Sequence, residues 1–87
     1  MFEQISVTDS VVKTLNSDVY GNAGISKARI TVENANIRVM IGAEPPTTSR
    51  GLKIEVGGFI DLENRNDIKN FKVICMAGTS ILNVVYA

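Results

Sequence analysis

The stretch from Lys27 to Ile41, which reads KARITVENANIRVMI, decides the fold class of this chain. Apolar and polar residues alternate along it in two blocks, one on each side of Glu33-Asn34-Ala35-Asn36. A period of two is typical of a strand with one buried and one exposed face. Asparagine tolerates left-handed backbone angles and favours tight reversals. We therefore predict two strands that meet in a hairpin or in a sharp kink between two sheets.

The composition favours the same fold class. Ten valines, ten isoleucines and six threonines make 26 of the 87 residues β-branched. Such side chains suit a pleated, half-buried surface and are stiff in a helix. The chain is therefore predicted to be all-β.

Two further segments continue the pattern. Residues 42–51 combine glycine, proline and hydroxyl residues and are predicted to form a loop. Leu52, Ile54 and Val56 alternate with polar residues, and so do the residues after Gly57-Gly58. This alternation predicts a second hairpin-like pair with one polar face.

The last third of the chain is more apolar. After a polar turn at 64–67, either a single helical turn or an extended corner could anchor Ile68 and Phe71. In the segments 71–76 and 81–86, apolar residues occupy both odd and even positions. This pattern is typical of strands buried on both faces. A central pair in a small sandwich and a contact with a neighbouring subunit both explain that pattern.

A chain of 87 residues is one domain, with 26–87 as its β core and 1–25 as an N-terminal arm or the first strands. Phe2, Ile5 and Val7 indicate a strand at the N-terminal end. Because so short a chain buries a modest fraction of its surface, we expect it to form a homo-oligomer.

Charge and patterning argue against several partners. Nine basic and nine acidic residues give a net charge of zero, so nucleic acid is not an expected partner. The chain has neither an apolar run long enough for a membrane span nor a basic-then-apolar leader. We expect it in the cytosol or in a particle assembled there.

The chain contains no histidine, which excludes Ser-His-Asp and Cys-His catalysis and argues against a zinc site. Asp61, Glu63 and Asp67 could bind a cation or act as paired carboxylates. A solvated edge with ion pairs to Arg65 and Lys69 explains the same cluster, and we favour that interpretation. We expect no enzymatic activity, cofactor or metal.

Cys75 lies in an apolar run, so it is interpreted as an unreactive core thiol. Phe59 and Phe71 are predicted to lie in the core. Gly57-Gly58 lacks a following helix and is read as a turn rather than a phosphate-binding loop.

One aromatic residue offers an alternative function. Tyr20 is expected to be partly exposed, and it lies beside Asp18 and Asn22. An exposed ring with polar neighbours could bind sugars. A carbohydrate- or receptor-binding module is therefore the alternative hypothesis.

Three segments carry a resemblance to a known group. They are Ile30 to Gly42 (ITVENANIRVMIG), Asp61 to Phe71 (DLENRNDIKNF) and Ser80 to Ala87 (SILNVVYA). From Ser26 onward the chain resembles small β-rich virion proteins of tailed bacteriophages. It departs from that pattern at Met40-Ile41-Gly42, where a polar Asp-Gly turn is expected.

The resemblance implies a small antiparallel β-sandwich or jelly-roll-like barrel with a structural role. Such a protein decorates or cements the capsid exterior by binding the major capsid protein, often as a trimer, or lies at a head or tail junction. An arm and a rigid loop can reach a neighbour without disturbing the core. The partner-binding residues expected on this ground are Phe2, Ile5, Val7, Pro45, Pro46 and Arg50.

Overall fold

The computed structural model describes residues 2–21 and 24–87, and within them eight strands and two short helices. The strands are β1 (Phe2–Thr8), β2 (Lys13–Thr14), β3 (Ala28–Glu33), β4 (Ile37–Ile41), β5 (Leu52–Ile54), β6 (Phe59–Leu62), β7 (Phe71–Cys75) and β8 (Thr79–Tyr86). The helices are α1 (Ser17–Tyr20) and α2 (Arg65–Asn70). Neither of these two helices has the length and apolarity that crossing a membrane requires.

The strands form two four-stranded antiparallel sheets. Sheet A has the order β1-β8-β3-β6, and sheet B has the order β2-β7-β4-β5. Four antiparallel pairs make up one long two-stranded ribbon: β1 with β8, β2 with β7, β3 with β6 and β4 with β5. The chain folds back on itself between β4 and β5. β8 also pairs with β3 and β7 with β4, which closes the ribbon into two facing sheets. This connectivity is a jelly roll, and it confirms the predicted all-β sandwich.

The predicted hairpin-like pair around Gly57-Gly58 is wrong, and so is the hairpin alternative at 33–36, because each of these turns carries the chain from one sheet to the other. β3 lies in sheet A and β4 in sheet B, so the sharp kink is the correct alternative at 34–36. Asn34 has the left-handed φ of 79° that this kink requires. Its side-chain amide donates to Thr79 O at 2.8 Å. β5 and β6 also lie in different sheets, with Gly57 between them at φ 86°.

The loop predicted at 42–51 joins β4 to β5, which are neighbours in sheet B. Within it, Thr47 and Arg50 form an isolated antiparallel bridge. Arg38 Nη1 donates to Gly51 O at 3.1 Å, and the Lys72 ammonium donates to Gly42 O. These contacts hold both ends of the loop against sheet B.

The core fills the space between the sheets. Its largest fully buried side chains come from β1, β3, β4, β6, β7, β8 and α2: Val7, Ile30, Val32, Ile37, Val39, Leu62, Ile68, Phe71, Val73, Cys75, Leu82 and Val84. Because they come from both sheets, neither sheet is stable without the other.

Of the two predicted conformations before Phe71, a helical turn or an extended corner, the chain adopts the helix. Asn64 caps α2 by accepting from Asp67 N at 2.9 Å, and Ile68 is buried beneath the helix. Phe71 begins β7 and is fully buried. One and a half turns of helix therefore place both side chains in the core.

The expectation of strands buried on both faces holds for β7 alone. In β7 the inward residues Phe71, Val73 and Cys75 are buried, and the outward Ile74 is 7% exposed. In β8 burial alternates, and Val85 is 52% exposed. β8 therefore has one solvated face.

The N-terminal segment is part of the domain rather than an arm. β1 pairs with β8 over its full length, from Phe2 opposite Val85 to Thr8 opposite Thr79. Val7 is fully buried in the core. The alternative of first strands is thus the one that the fold adopts.

Candidate functional site

Three exposed apolar side chains lie on the outer face of sheet A, the face that points away from sheet B. Phe2, Val85 and Phe59 are 58%, 52% and 55% exposed. Phe2 pairs with Val85, and Val85 pairs in turn with Arg29 on β3. Contiguous exposed apolar groups, such as the neighbouring Phe2 and Val85, are typical of surfaces that bind other proteins.

The alternation of each strand explains why these residues face outward. On β6, Leu62 is buried and Ile60 packs against the core, so Phe59 and Asp61 point to solvent. This corrects the prediction that Phe59 belongs to the core. Phe71, by contrast, is fully buried, as predicted.

Arg29 joins the apolar and charged parts of the outer face. Its Nε donates to Asp61 Oδ1 at 2.7 Å and its Nη2 donates to Asp61 Oδ2 at 3.0 Å. Its guanidinium carbon lies 4.7 Å from the centre of the Phe59 ring. Two parallel hydrogen bonds and a cation–π contact fix the guanidinium in one orientation. The centre of the face is therefore ordered before any partner arrives.

The ion pair also shifts two pKa values. Hydrogen bonds from Arg29, with a smaller effect of its charge, lower the pKa of Asp61 below its ordinary value of 3.8. The same contact raises the pKa of Arg29. Both groups are consequently charged at neutral pH.

A second row of the face is polar. Gln4 Nε2 donates to Asn83 Oδ1 at 3.0 Å, and Asn83 Nδ2 donates to Glu33 Oε1 at 2.9 Å. Thr31 lies between Asn83 and Phe59 in the strand register. The apolar side chains are thus interleaved with groups that can hydrogen-bond to a partner.

A shallow depression of about 280 Å³ lies at one end of this face. It is lined by Lys27, Ala28, Arg29, Asp61, Leu62, Glu63, Val85 and Ala87. It is open to solvent and carries both signs of charge. It could receive a protruding side chain of a partner.

The predicted N-terminal site residues do not act together. Phe2 projects from the outer face of sheet A, whereas Ile5 and Val7 point inward. Val7 is fully buried and Ile5 is partly buried against the core. Val7 is therefore not available to a partner in this fold, which corrects that part of the expectation.

The predicted loop residues are also divided. Pro45 is exposed, but Pro46 is buried, and its Cβ lies close to Gly51. Pro46 therefore helps to pack the loop instead of offering a surface. Arg50 is exposed and pairs with Glu44 at 3.1 Å. Partner binding by Pro45 and Arg50 stays a prediction.

Tyr20 is half-buried, in agreement with the predicted partial exposure. Its ring packs against Tyr86 with a centroid distance of 6.3 Å. The Tyr86 hydroxyl donates to Glu3 Oε1 at 2.6 Å, and burial together with this carboxylate raises the Tyr86 pKa well above its ordinary range. Asn22 and the Asp18 side chain lie outside the described residues. The described contacts give Tyr20 a packing role.

The acidic residues do not form one cluster. Asp61 pairs with Arg29, whereas Asp67 accepts from the amide of Asn64 at the start of α2. Arg65 donates to the carbonyls of Ile25 and Gly21, and among the described contacts the cation paired with Asp61 is Arg29. Over residues 2–21 and 24–87, no group of three potential metal ligands comes together.

Cys75 is a free, fully buried thiol, as predicted. Its Sγ donates to Ala77 O at 3.3 Å. The thiol is thus satisfied within the core.

Sequence reasoning missed Arg29, Phe59 and Val85 as site residues. Alternation along β3 already placed Arg29 on the polar face, and the inward Leu62 already implied an outward Phe59. No local pattern could show that β8 lies between β1 and β3, which is what brings Val85 between Phe2 and Arg29.

Comparison with known proteins finds no matching family model, curated protein or solved structure. The resemblance to phage virion proteins accordingly stays a prediction.

Proposed function

We propose that this chain is a non-enzymatic structural protein of a tailed-phage particle that binds the capsid exterior through the outer face of sheet A. The observation that carries the proposal is that Val85 and Phe59 flank Arg29 of the Arg29–Asp61 ion pair, with Phe2 beside Val85. Interface centres are enriched in aromatic residues and arginine. The partner in this proposal is the major capsid protein.

Three further features support the proposal. The molecule measures 35 × 25 × 19 Å, so a broad face is comparable with the roughly 800 Å² per partner of a standard interface. The jelly roll is an architecture found in viral capsid proteins, although it also occurs in lectins. The resemblance carried by residues 26–87 is to virion proteins.

The mechanism is burial of surface across capsid subunits. Each bound copy adds contacts that must break before the shell can expand or come apart. More than one copy per oligomer multiplies these contacts through effective concentration. A position at the head–tail junction uses the same face and differs only in the partner.

The test is co-sedimentation of the purified protein with empty capsids of its phage. Val85→Ser removes an apolar side chain from the outer face of sheet A, and Val56→Ser removes one of equal exposure, 52%, outside the strands of that sheet. Loss of a central interface side chain typically weakens binding about tenfold or more. We expect that loss for Val85→Ser and wild-type binding for Val56→Ser.

A second matched pair uses the larger side chains. Phe59→Ser should weaken binding, and Leu52→Ser, at similar exposure on sheet B, should not. Equal binding by all four variants and the wild type would overturn the proposed face. Absence of co-sedimentation by the wild-type protein would overturn the capsid role.

A further inference from the structure

The outer edge of β1 has no strand partner. β1 pairs on one side with β8, and no other backbone hydrogen bond of the described residues involves Phe2–Thr8. β1 is the end strand of sheet A, and its inward Ile5 is only half-buried. The edge therefore presents free backbone donors and acceptors to solvent.

The other three sheet edges are protected in ways that β1 is not. β2 has two residues, including Lys13, and β5 has three, including Lys53. β6 has four residues, and its Asp61 is held by Arg29. Short strands and charged side chains are ordinary devices against edge pairing. β1 has seven residues without lysine, arginine, proline or glycine.

The sequence of β1 is compatible with pairing to itself. Two copies of β1 can pair antiparallel about a two-fold axis at Ile5, the middle residue of the strand. Ile5 then lies opposite Ile5 of the second copy, and Gln4 lies opposite Ser6 of the second copy. Both inward and outward rows then remain in register, because paired residues share a face. The half-buried Ile5 side chains would cover each other.

Charge does not oppose this pairing. The single charged side chain of β1 is Glu3. Its carboxylate points inward, where it accepts hydrogen bonds from the Tyr86 hydroxyl and from Asn16 N at 3.1 Å. Two copies can therefore approach along this edge without exposed like charges meeting.

We propose that β1 pairs with β1 of a second copy of this chain about a two-fold axis, which joins the two sheets A into one eight-stranded sheet. The partner is a second copy because a long edge whose single carboxylate points inward, with a self-consistent register, is complementary to itself. The dimer joins the two outer faces into one surface. Its formation does not depend on capsid binding.

The test is the mass of the protein in solution by light scattering and sedimentation equilibrium. We expect a mass of twice 9.4 kDa within a range of about 1 to 500 μM. Gln4→Lys with Ser6→Lys places introduced lysines opposite each other across the proposed pair. This double variant should be monomeric throughout the range.

Two matched variants separate edge pairing from general charge and folding effects. Gln4→Lys with Ser6→Glu places opposite charges across the pair and should restore the dimer. Thr48→Lys with Ser49→Lys adds the same charge to an exposed loop and should leave the dimer unchanged. Circular dichroism of every variant establishes that it is folded.

Several results would overturn the inference. They are a wild-type monomer at all concentrations, a wild-type trimer, or a dimer that tolerates Gln4→Lys with Ser6→Lys in a folded protein. Capsid co-sedimentation is measured separately. A dimer that ignores capsids removes the proposed function alone, and a monomer that binds capsids removes this inference alone.

Discussion

Arg29 and Asp61 face each other across β3 and β6 in a two-pronged ion pair, with contacts of 2.7 and 3.0 Å. β3 ends at Glu33, and β6 begins 26 positions later, at Phe59. The ion pair therefore links two distant parts of the ribbon. The same guanidinium covers the Phe59 ring. One ion pair thus joins the edge of sheet A to the centre of its outer face.

This pair predicts a pH dependence of stability. The pKa of Asp61 is lower in the folded protein than its ordinary value of 3.8. A carboxyl with a depressed folded-state pKa stabilises the fold above its unfolded pKa, and that stability is lost as the pH falls through the folded value. The wild type should therefore resist urea better than Asp61→Asn at pH 7, and the difference should vanish in acid, below the folded-state pKa.

The control for this prediction is Glu44→Gln, which removes a single-contact ion pair in the 42–51 loop. It should change the urea midpoint very little, because exposed pairs of this kind contribute little. High salt should reduce the Asp61→Asn effect by screening. An Asp61→Asn difference that is equally large in strong acid would contradict the assignment.

Ser80 is predicted to hold the kink between β3 and β4. It is fully buried, and its hydroxyl lies 3.0 Å from Glu33 O and 2.8 Å from Ala35 O. Ser80→Ala removes the donor and should lower the free energy of unfolding by about 1–3 kcal/mol. Ser6→Ala, on the exposed face of β1, is the control and should have almost no effect. Equal urea midpoints for the two variants would refute this role.

The two phenylalanines of β6 and β7 should behave differently. Phe71 is fully buried, and Phe71→Ala should destabilise the protein by about 3–5 kcal/mol. Phe59 is 55% exposed, so Phe59→Ala should cost about 1 kcal/mol or less from the lost contact with Arg29. Thermal or urea unfolding distinguishes the two. Similar losses would mean that Phe59 is in the core after all.

The Cys75 thiol should be unreactive in the folded protein. It is fully buried, so a thiol reagent should label it only as fast as the domain opens. Labelling in urea should be complete within the mixing time. Rapid labelling of the native protein would show that β7 is more accessible than its burial indicates.

Alternation predicted most of the strands because burial has a local signature. Ile30 and Val32 face inward and Arg29 faces outward, as the pattern from Lys27 to Ile41 indicates. Which strand pairs with which leaves no such local signature in the sequence. The turns at Asn34 and Gly57 look like hairpin turns, yet the chain crosses between sheets at both. The β4–β5 hairpin uses instead the longer loop at 42–51.

The candidate site was predicted less well for the same reason. Phe2 was identified from the sequence and lies on the outer face, but Val7 and Pro46 are buried. Val85 becomes a neighbour of Phe2 and Arg29 only because the last strand inserts between β1 and β3. Sites on a sheet face depend on strand order, which long-range packing determines.

The proposed capsid role is tested by hydroxyl-radical footprinting of the protein, free and mixed with empty capsids of the phage that the proposal implies. Capsid binding should protect Phe2 and Phe59 on the outer face of sheet A. Leu52, which is equally exposed on sheet B, should keep its reactivity. Protection of Leu52 with unchanged labelling of Phe2 and Phe59 would contradict binding through the outer face of sheet A.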